Sequence, residues 1–120
     1  MSEDVLINSV RSYSSGTPGR SINAVRGHHF VIDEPVYAGG PGEEITPGDA
    51  FLAGVSACGV LLVEAFARQA SIPFQKGDVA IEGLRTKADP TQFQSVTMRF
   101  ELVGPSQAQA EQLVERYKGR

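Results

Sequence analysis

Residues 46–71 read TPGDAFLAGVSACGVLLVEAFARQAS, and this stretch decides the fold. Thr46 can cap a helix, Pro47 suits its first position, and Asp49 places a negative charge in the first turn. Apolar side chains then recur at steps of four, three, four and four residues, which lines them on one face: Phe51, Val55, Cys58, Leu62 and Phe66. Further apolar residues flank that face. The sequence therefore predicts a central helix that is apolar over most of its circumference and is buried.

The middle of this helix is built from small residues, which allow another element to approach its backbone closely: Ala53, Gly54, Ser56, Ala57 and Gly59. Cys58, the only cysteine in the chain, lies among them. It is about three turns from the helix start, too far for the N-terminal dipole to stabilise a thiolate. Two interpretations stay open. Cys58 is a small hydrophobe in the core, or it is a reactive thiol supported by a cation from elsewhere, most simply an arginine.

Composition limits the class of protein. The chain has 120 residues, which suits a single domain over residues 1–120, and a net charge of −3 with scattered basic residues, which argues against a nucleic-acid surface. One cysteine excludes an internal disulfide and a cysteine-cluster metal site, and it favours a reducing, cytoplasmic setting. The N-terminus lacks the pattern of a signal peptide. The uncharged apolar run from Ala50 to Val63 is shorter than the roughly 20 residues that a bilayer needs, so we expect no membrane segment.

Strands are predicted on both sides of the central helix. Before it, alternation and turn signals predict strands over Asp4–Ser14, Arg20–Arg26 and His28–Asp33, followed by a loop over Glu34–Glu44. After it, strands are predicted over Asp78–Arg85, with a possible bulge at Gly83, and over Phe93–Val103. Ser106 and Gln109 fit a capping box that opens a second helix to Lys118.

This order of elements predicts an α+β fold with antiparallel pairing. About five strands cover only one side of a helix that is apolar nearly all round. A second subunit is the simplest source of the missing cover, so we expect a homodimer.

Three other polar or glycine-rich features have simple structural interpretations. His28 and His29 are adjacent and point to opposite faces of a strand, a poor spacing for metal ligands, so we interpret them as strand surface and expect neither metal nor cofactor. Asp33 and Glu34 are interpreted as solvated turn residues rather than as a catalytic carboxylate pair. Residues 39–42, GGPG, lack the lysine of a phosphate-binding loop and are interpreted as a connector.

Residues 27–67, GHHFVIDEPVYAGGPGEEITPGDAFLAGVSACGVLLVEAFA, resemble the OsmC-like family, which includes the organic hydroperoxide resistance proteins. The resemblance rests on a short strand, an acidic-Pro step, a Gly-Gly loop, an Asn-Pro-type helix start, and a Ser-Ala-Cys or Gly-Ala-Cys motif about eleven residues after that proline. Here these are Asp33-Glu34-Pro35, Gly39-Gly40, Thr46-Pro47 and Ser56-Ala57-Cys58. Residues 93–96 and 115–118 are similar to the same family, so the resemblance covers nearly the whole chain.

The resemblance implies an intertwined homodimer in which antiparallel sheets wrap the central helices. It also implies a thiol peroxidase, in which a cysteine on the helix attacks the O–O bond of an organic hydroperoxide and an external thiol or dithiol restores it. Cys58 matches the reactive cysteine. In the family an early arginine and an acidic residue at the helix start support the thiolate, and the nearest matches here are Arg20 and Asp49.

The sequence also departs from that pattern. Gly48 follows the helix proline where the peroxidase branch has glutamate, and no second, resolving cysteine follows the closing helix. We therefore expect that either the natural chain extends past Arg120, with the family's final strand, or the protein works through one cysteine. Two alternatives to a peroxidase remain: a divergent protein of the same fold that binds a small hydrophobic ligand, and a hot-dog-type thioesterase, which would need Asp49 as its acidic residue.

Overall fold

The computed structural model describes residues 4–119, which form two compact units. The first unit ends at Ala50 and holds a three-stranded antiparallel sheet in the order β1-β2-β3. These strands are β1 (Arg11–Ser14), β2 (Arg20–Val25) and β3 (His28–Asp33). A 3₁₀ turn at Val36–Ala38 interrupts the predicted loop that follows β3.

The first strand is much shorter than predicted. The register places Arg11 opposite Ala24, one residue before the end of β2 at Val25. Residues before Arg11 therefore run past the end of the β2–β3 hairpin, where this sheet offers them no partner. The prediction of a strand from Asp4 was wrong for this reason, although residues 5–10 have strand-forming side chains.

The central helix α1 (Pro47–Gln69) begins where the sequence predicted. The Thr46 hydroxyl accepts a hydrogen bond from the Asp49 backbone N–H at 3.1 Å, and the Asp49 carboxylate accepts one from the Thr46 backbone N–H at 3.0 Å. This reciprocal pair satisfies two backbone donors that a helix start leaves without intrahelical partners. The predicted cap at Thr46 is confirmed.

The second unit, from Phe51 onwards, packs α1 against a two-stranded sheet and a second helix. The strands β4 (Lys76–Leu84) and β5 (Ser95–Val103) pair antiparallel, and α2 (Gln107–Lys118) follows with the predicted capping box at Ser106. The core contains Val63, Phe66, Ala67 and Leu113. A side chain at Gly59 would lie 3.0 Å from the Met98 methyl group, so glycine lets α1 approach β5 closely.

The alternation predicted for β5 is present, because Met98, Phe100 and Leu102 are half-buried and Arg99 and Glu101 are exposed. The bulge predicted at Gly83 was wrong, since the register runs without interruption through Gly83 opposite Val96. The α+β fold with antiparallel sheets is confirmed.

The central helix is only partly covered within one chain. Four of its residues are buried, all facing the core: Gly59, Val63, Phe66 and Ala67. Leu61 remains 61% exposed, and Ala53 and Ala57 are exposed beside it. These three residues form an apolar strip along the helix, here called the open strip. The prediction of a helix buried nearly all round does not hold for a single chain.

α1 is also long and apolar enough to cross a membrane by length and composition, with 23 residues and a mean hydropathy of 2.0 in its most apolar window. The core helix of a soluble protein meets the same criterion, and one such helix does not distinguish the two. The expectation of no membrane segment stays a prediction.

Candidate functional site

Cys58 lies on α1 in the second unit, and its side chain is exposed. Within one chain Cys58 therefore does not pack in the core, and its role as a reactive thiol stays a prediction. Gly54 lies one turn earlier, and the space that its side chain would fill is empty to 4 Å. Within one chain, this side of the helix is therefore open next to Cys58.

An aromatic pair stands on the same side of α1, two turns before Cys58. Phe51 stacks on Phe93, with ring centroids 6.2 Å apart and an interplanar angle of 22°. The Arg85 guanidinium lies over the Phe93 ring at 5.6 Å and donates a hydrogen bond to the Pro90 carbonyl. A side chain on Gly83 would come within 2.5 Å of the Phe93 ring, so glycine in β4 makes room for that ring.

Sequence reasoning missed the aromatic pair, because it treated Phe93 only as the start of a strand. Phe93 instead precedes β5, which begins at Ser95. Glycine in the middle of a strand often marks a site where another group approaches closely, so Gly83 was the signal available.

Arg20 lies in the first unit and binds two carboxylates. Its Nε donates to Asp33 Oδ1 at 2.7 Å and its Nη2 donates to Asp33 Oδ2 at 2.8 Å, so the two side chains form a bidentate ion pair. Nη2 also donates to Glu43 Oε1 at 2.9 Å. The Asp33 side chain is fully buried, and its Oδ2 accepts the backbone N–H groups of Glu43 and Glu44, both at 3.1 Å. This Arg20–Asp33 clamp joins the start of β2 and the end of β3 to the loop that leads into α1.

The interpretation of Asp33 as a solvated turn residue was wrong, whereas Glu34 is exposed. The pairing could have been found in the sequence. A two-residue hairpin turn at Arg26 and Gly27 puts Val25 opposite His28, and counting back along both strands puts Arg20 opposite Asp33.

The clamp shifts the acid–base properties of both partners. The hydrogen bonds from Arg20 lower the pKa of Asp33 from 3.8 to about 2, assisted by the backbone N–H groups of Glu43 and Glu44 and opposed by burial. The same carboxylate raises the pKa of Arg20 further above its ordinary range, with a smaller contribution from Glu43. Asp33 is therefore ionised at any pH where the protein is expected to work.

Asp49, the third predicted site residue, uses its carboxylate to cap α1 through the Thr46 backbone N–H. Its observed role is local. The predictions that Arg20 and Asp49 support the Cys58 thiolate stay predictions. Among residues 4–119, no group of three or more His, Cys, Asp or Glu side chains is arranged to hold a metal ion.

A groove lies in the second unit, between β5 and α2. This groove has a volume of about 690 Å³. Its apolar lining includes Phe100, Leu102, Ala110 and Val114, and Glu111 and Glu115 stand along it.

Comparisons with known proteins agree on the fold. The family model for OsmC-like proteins matches residues 40–120, about two thirds of the chain. An OsmC-like protein from Mycoplasma pneumoniae superposes with a TM-score of 0.81 at 16% identity, over 96% of this chain and 82% of that one. An OsmC-like protein of unknown function from Vibrio cholerae gives 0.81 at 14% identity, over 96% and 89%. An organic hydroperoxide resistance protein from Legionella pneumophila gives 0.69 at 23% identity, over 92% and 81%. No curated protein sequence matches the chain.

Proposed function

The chain belongs to the OsmC-like protein family, and from this premise we propose that it is a thiol-dependent peroxidase that reduces organic hydroperoxides through Cys58. The observation that carries the proposal is the exposed thiol of Cys58 on α1, in the Ser-Ala-Cys motif of the family. Support also comes from similar structures described as organic hydroperoxide resistance proteins, from Legionella pneumophila and Elizabethkingia anophelis.

The proposed reaction needs one cysteine and an external reductant. The Cys58 thiolate attacks the terminal oxygen of the hydroperoxide, an S–O bond forms, and the O–O bond breaks. The alkoxide leaves and takes a proton from water to become an alcohol, while Cys58 becomes a sulfenic acid. A small thiol then condenses with the sulfenic acid and releases water, and a second thiol reduces the mixed disulfide. A cytoplasmic location fits this need for thiols and is part of the proposal.

In this proposal Arg20 and Asp49 position the start of the helix. The Arg20–Asp33 clamp holds the backbone N–H groups of Glu43 and Glu44, which closely precede Thr46. Asp49 then closes the first turn.

Mass spectrometry of Cys58 after treatment with cumene hydroperoxide tests the proposal directly. With one equivalent of peroxide and a sulfenic-acid trap, we expect a trapped adduct on Cys58 and loss of one titratable thiol per chain. At excess peroxide, sulfinic and sulfonic forms should accumulate, because this chain has no second cysteine to form an internal disulfide. An unmodified Cys58 after excess peroxide would contradict the proposal.

That outcome would favour the second candidate function, a non-catalytic protein of the same fold that binds a small hydrophobic ligand. The groove between β5 and α2 supports this candidate, because its volume lies within the usual range of ligand sites. Binding there would not depend on Cys58. No comparison supports the thioesterase.

We propose further that the protein is a homodimer in which the open strip packs on a second copy. Ala53 and Ala57 permit close approach, and Leu61, which is 61% exposed, presents a large apolar side chain to the partner. We expect light scattering to show a dimer at micromolar concentration.

The substitution Leu61→Glu should shift the protein from dimer to monomer, because the glutamate would place a buried charge at the interface. Val36→Glu serves as the control, since Val36 is 73% exposed in the first unit and off the open strip. A stable wild-type monomer would refute the dimer.

A further inference from the structure

Phe51 and Cys58 lie seven residues apart on α1, which places them on the same side of the helix and about 10 Å apart along its axis. Two residues lie between them on this side: Val55 is half-buried, whereas Gly54 has no side chain and faces empty space. Phe51 is 59% exposed, and the thiol at the other end is exposed as well. These residues form a shallow depression, here called the trough, with the Phe51 ring as an aromatic wall at one end and the Cys58 thiol at the other.

Contacts of Phe93 with three other residues stabilise the position of the Phe51 ring. The Phe93 ring contacts the backbone notch at Gly83, stacks against Phe51 and carries the Arg85 guanidinium. Each contact limits the positions that the two rings can adopt. An exposed phenyl ring that is fixed in this way offers a defined surface to another ring, and aromatic pairs prefer centroid separations of about 4.5 to 7 Å.

We propose that Phe51, supported by Phe93, makes this site selective for hydroperoxides whose organic group carries an aromatic ring. This inference rests on the proposed peroxidase function. Suppose that a substrate ring lies over Gly54, with its centroid about 5 Å from the Phe51 ring. Of the axial separation of about 10 Å between Phe51 and Cys58, about 5 Å then remains between the substrate ring and Cys58. That remainder accommodates the peroxide group with its terminal oxygen about 3 to 3.5 Å from the sulfur.

The proposed dimer leaves this trough accessible. Successive residues of a helix advance by roughly 100°, so Leu61, Ala57 and Ala53 of the open strip lie roughly 60 to 140° around the helix from Cys58. Phe51 and Cys58 lie within about 20° of each other, on the edge nearer the β4–β5 sheet, next to which the Phe93 ring lies at Gly83. A second copy on the open strip would therefore border the trough rather than fill it.

Steady-state kinetics with two substrates of similar size test the selectivity. Cumene hydroperoxide carries a phenyl ring, and p-menthane hydroperoxide carries a saturated ring. We expect wild-type protein to have the higher kcat/KM for cumene hydroperoxide. In Phe51→Leu the ratio of the two kcat/KM values should fall about 2- to 10-fold, the size of one aromatic pair interaction, while kcat/KM for the saturated substrate changes little. Phe93→Leu should reduce the ratio in the same direction, and it replaces Phe51→Leu if that variant fails to fold.

Phe30→Leu is the matched control, since Phe30 is 40% exposed on β3 in the first unit, and it should keep the wild-type ratio. A wild-type ratio near one, or a ratio that neither Phe51→Leu nor Phe93→Leu changes, would overturn this inference and leave the peroxidase intact. If wild-type protein consumed neither hydroperoxide, the proposed peroxidase function itself would be overturned.

Discussion

Replacing Cys58 with serine is expected to remove hydroperoxide reduction, with a loss on the order of 10³-fold or more in kcat/KM. A serine hydroxyl cannot replace the thiolate that attacks the peroxide oxygen, and only substrate binding would remain. The measurement is consumption of cumene hydroperoxide with dithiothreitol as reductant, after subtraction of the rate with dithiothreitol alone. The fold should survive, because the Cys58 side chain is exposed and supplies little packing.

Ser56→Ala provides the control on the same helix. The Ser56 hydroxyl donates to the Ala53 carbonyl within the helix, so its removal should leave activity near the wild-type value. Activity in Cys58→Ser equal to that of wild type would show that another group performs the reduction or that none occurs.

Replacing Asp33 with asparagine is expected to destabilise the first unit strongly, with a fall in the melting temperature on the order of 10 °C. Asparagine presents one carbonyl oxygen where the carboxylate accepts bonds from Arg20 and from two backbone N–H groups. The half-buried Arg20 guanidinium loses its charged partner Asp33, although Glu43 remains. Circular dichroism during heating gives the readout.

The same substitution should flatten the acid limb of the stability profile. The pKa of Asp33 is lower in the folded protein than its ordinary value of 3.8, so its ionisation stabilises the folded state above about pH 4. That contribution is lost as the pH falls towards about 2, the pKa of Asp33 in the fold. Wild-type protein should therefore lose stability over this window more steeply than Asp33→Asn.

Glu34→Gln makes the same chemical change at the neighbouring, exposed residue and should melt close to wild type. If Asp33→Asn and Glu34→Gln melted at the same temperature as wild type, the clamp would not stabilise the fold.

Local patterns in the sequence determined most of the secondary structure. The start of α1 depends on Thr46, Pro47 and Asp49, and the capping box of α2 depends on Ser106 and Gln109, residues three positions apart that meet as soon as a helix forms. Period-two alternation likewise predicted β5, because alternate residues of a strand must face opposite sides. The motif around Cys58 led to the family, and the match over residues 40–120 confirmed it.

The sequence alone also indicated that one chain cannot cover α1. The strands available to one chain are too few for a helix that is apolar nearly all round. The exposure of Leu61 on α1 agrees with this expectation that the strands of one chain leave part of the helix uncovered.

Tertiary structure decided the contacts between residues that are distant in the chain. Arg20 and Asp33 look like two isolated charges in the sequence, and strand register turns them into a buried pair. Phe51 and Phe93 meet only because β4 carries a glycine where the Phe93 ring lies. The exposure of Cys58 also depends on which side of α1 the sheet covers. Local rules describe neighbours along the chain, whereas each of these contacts requires two separate elements to be placed within a few ångströms, and packing alone sets that placement.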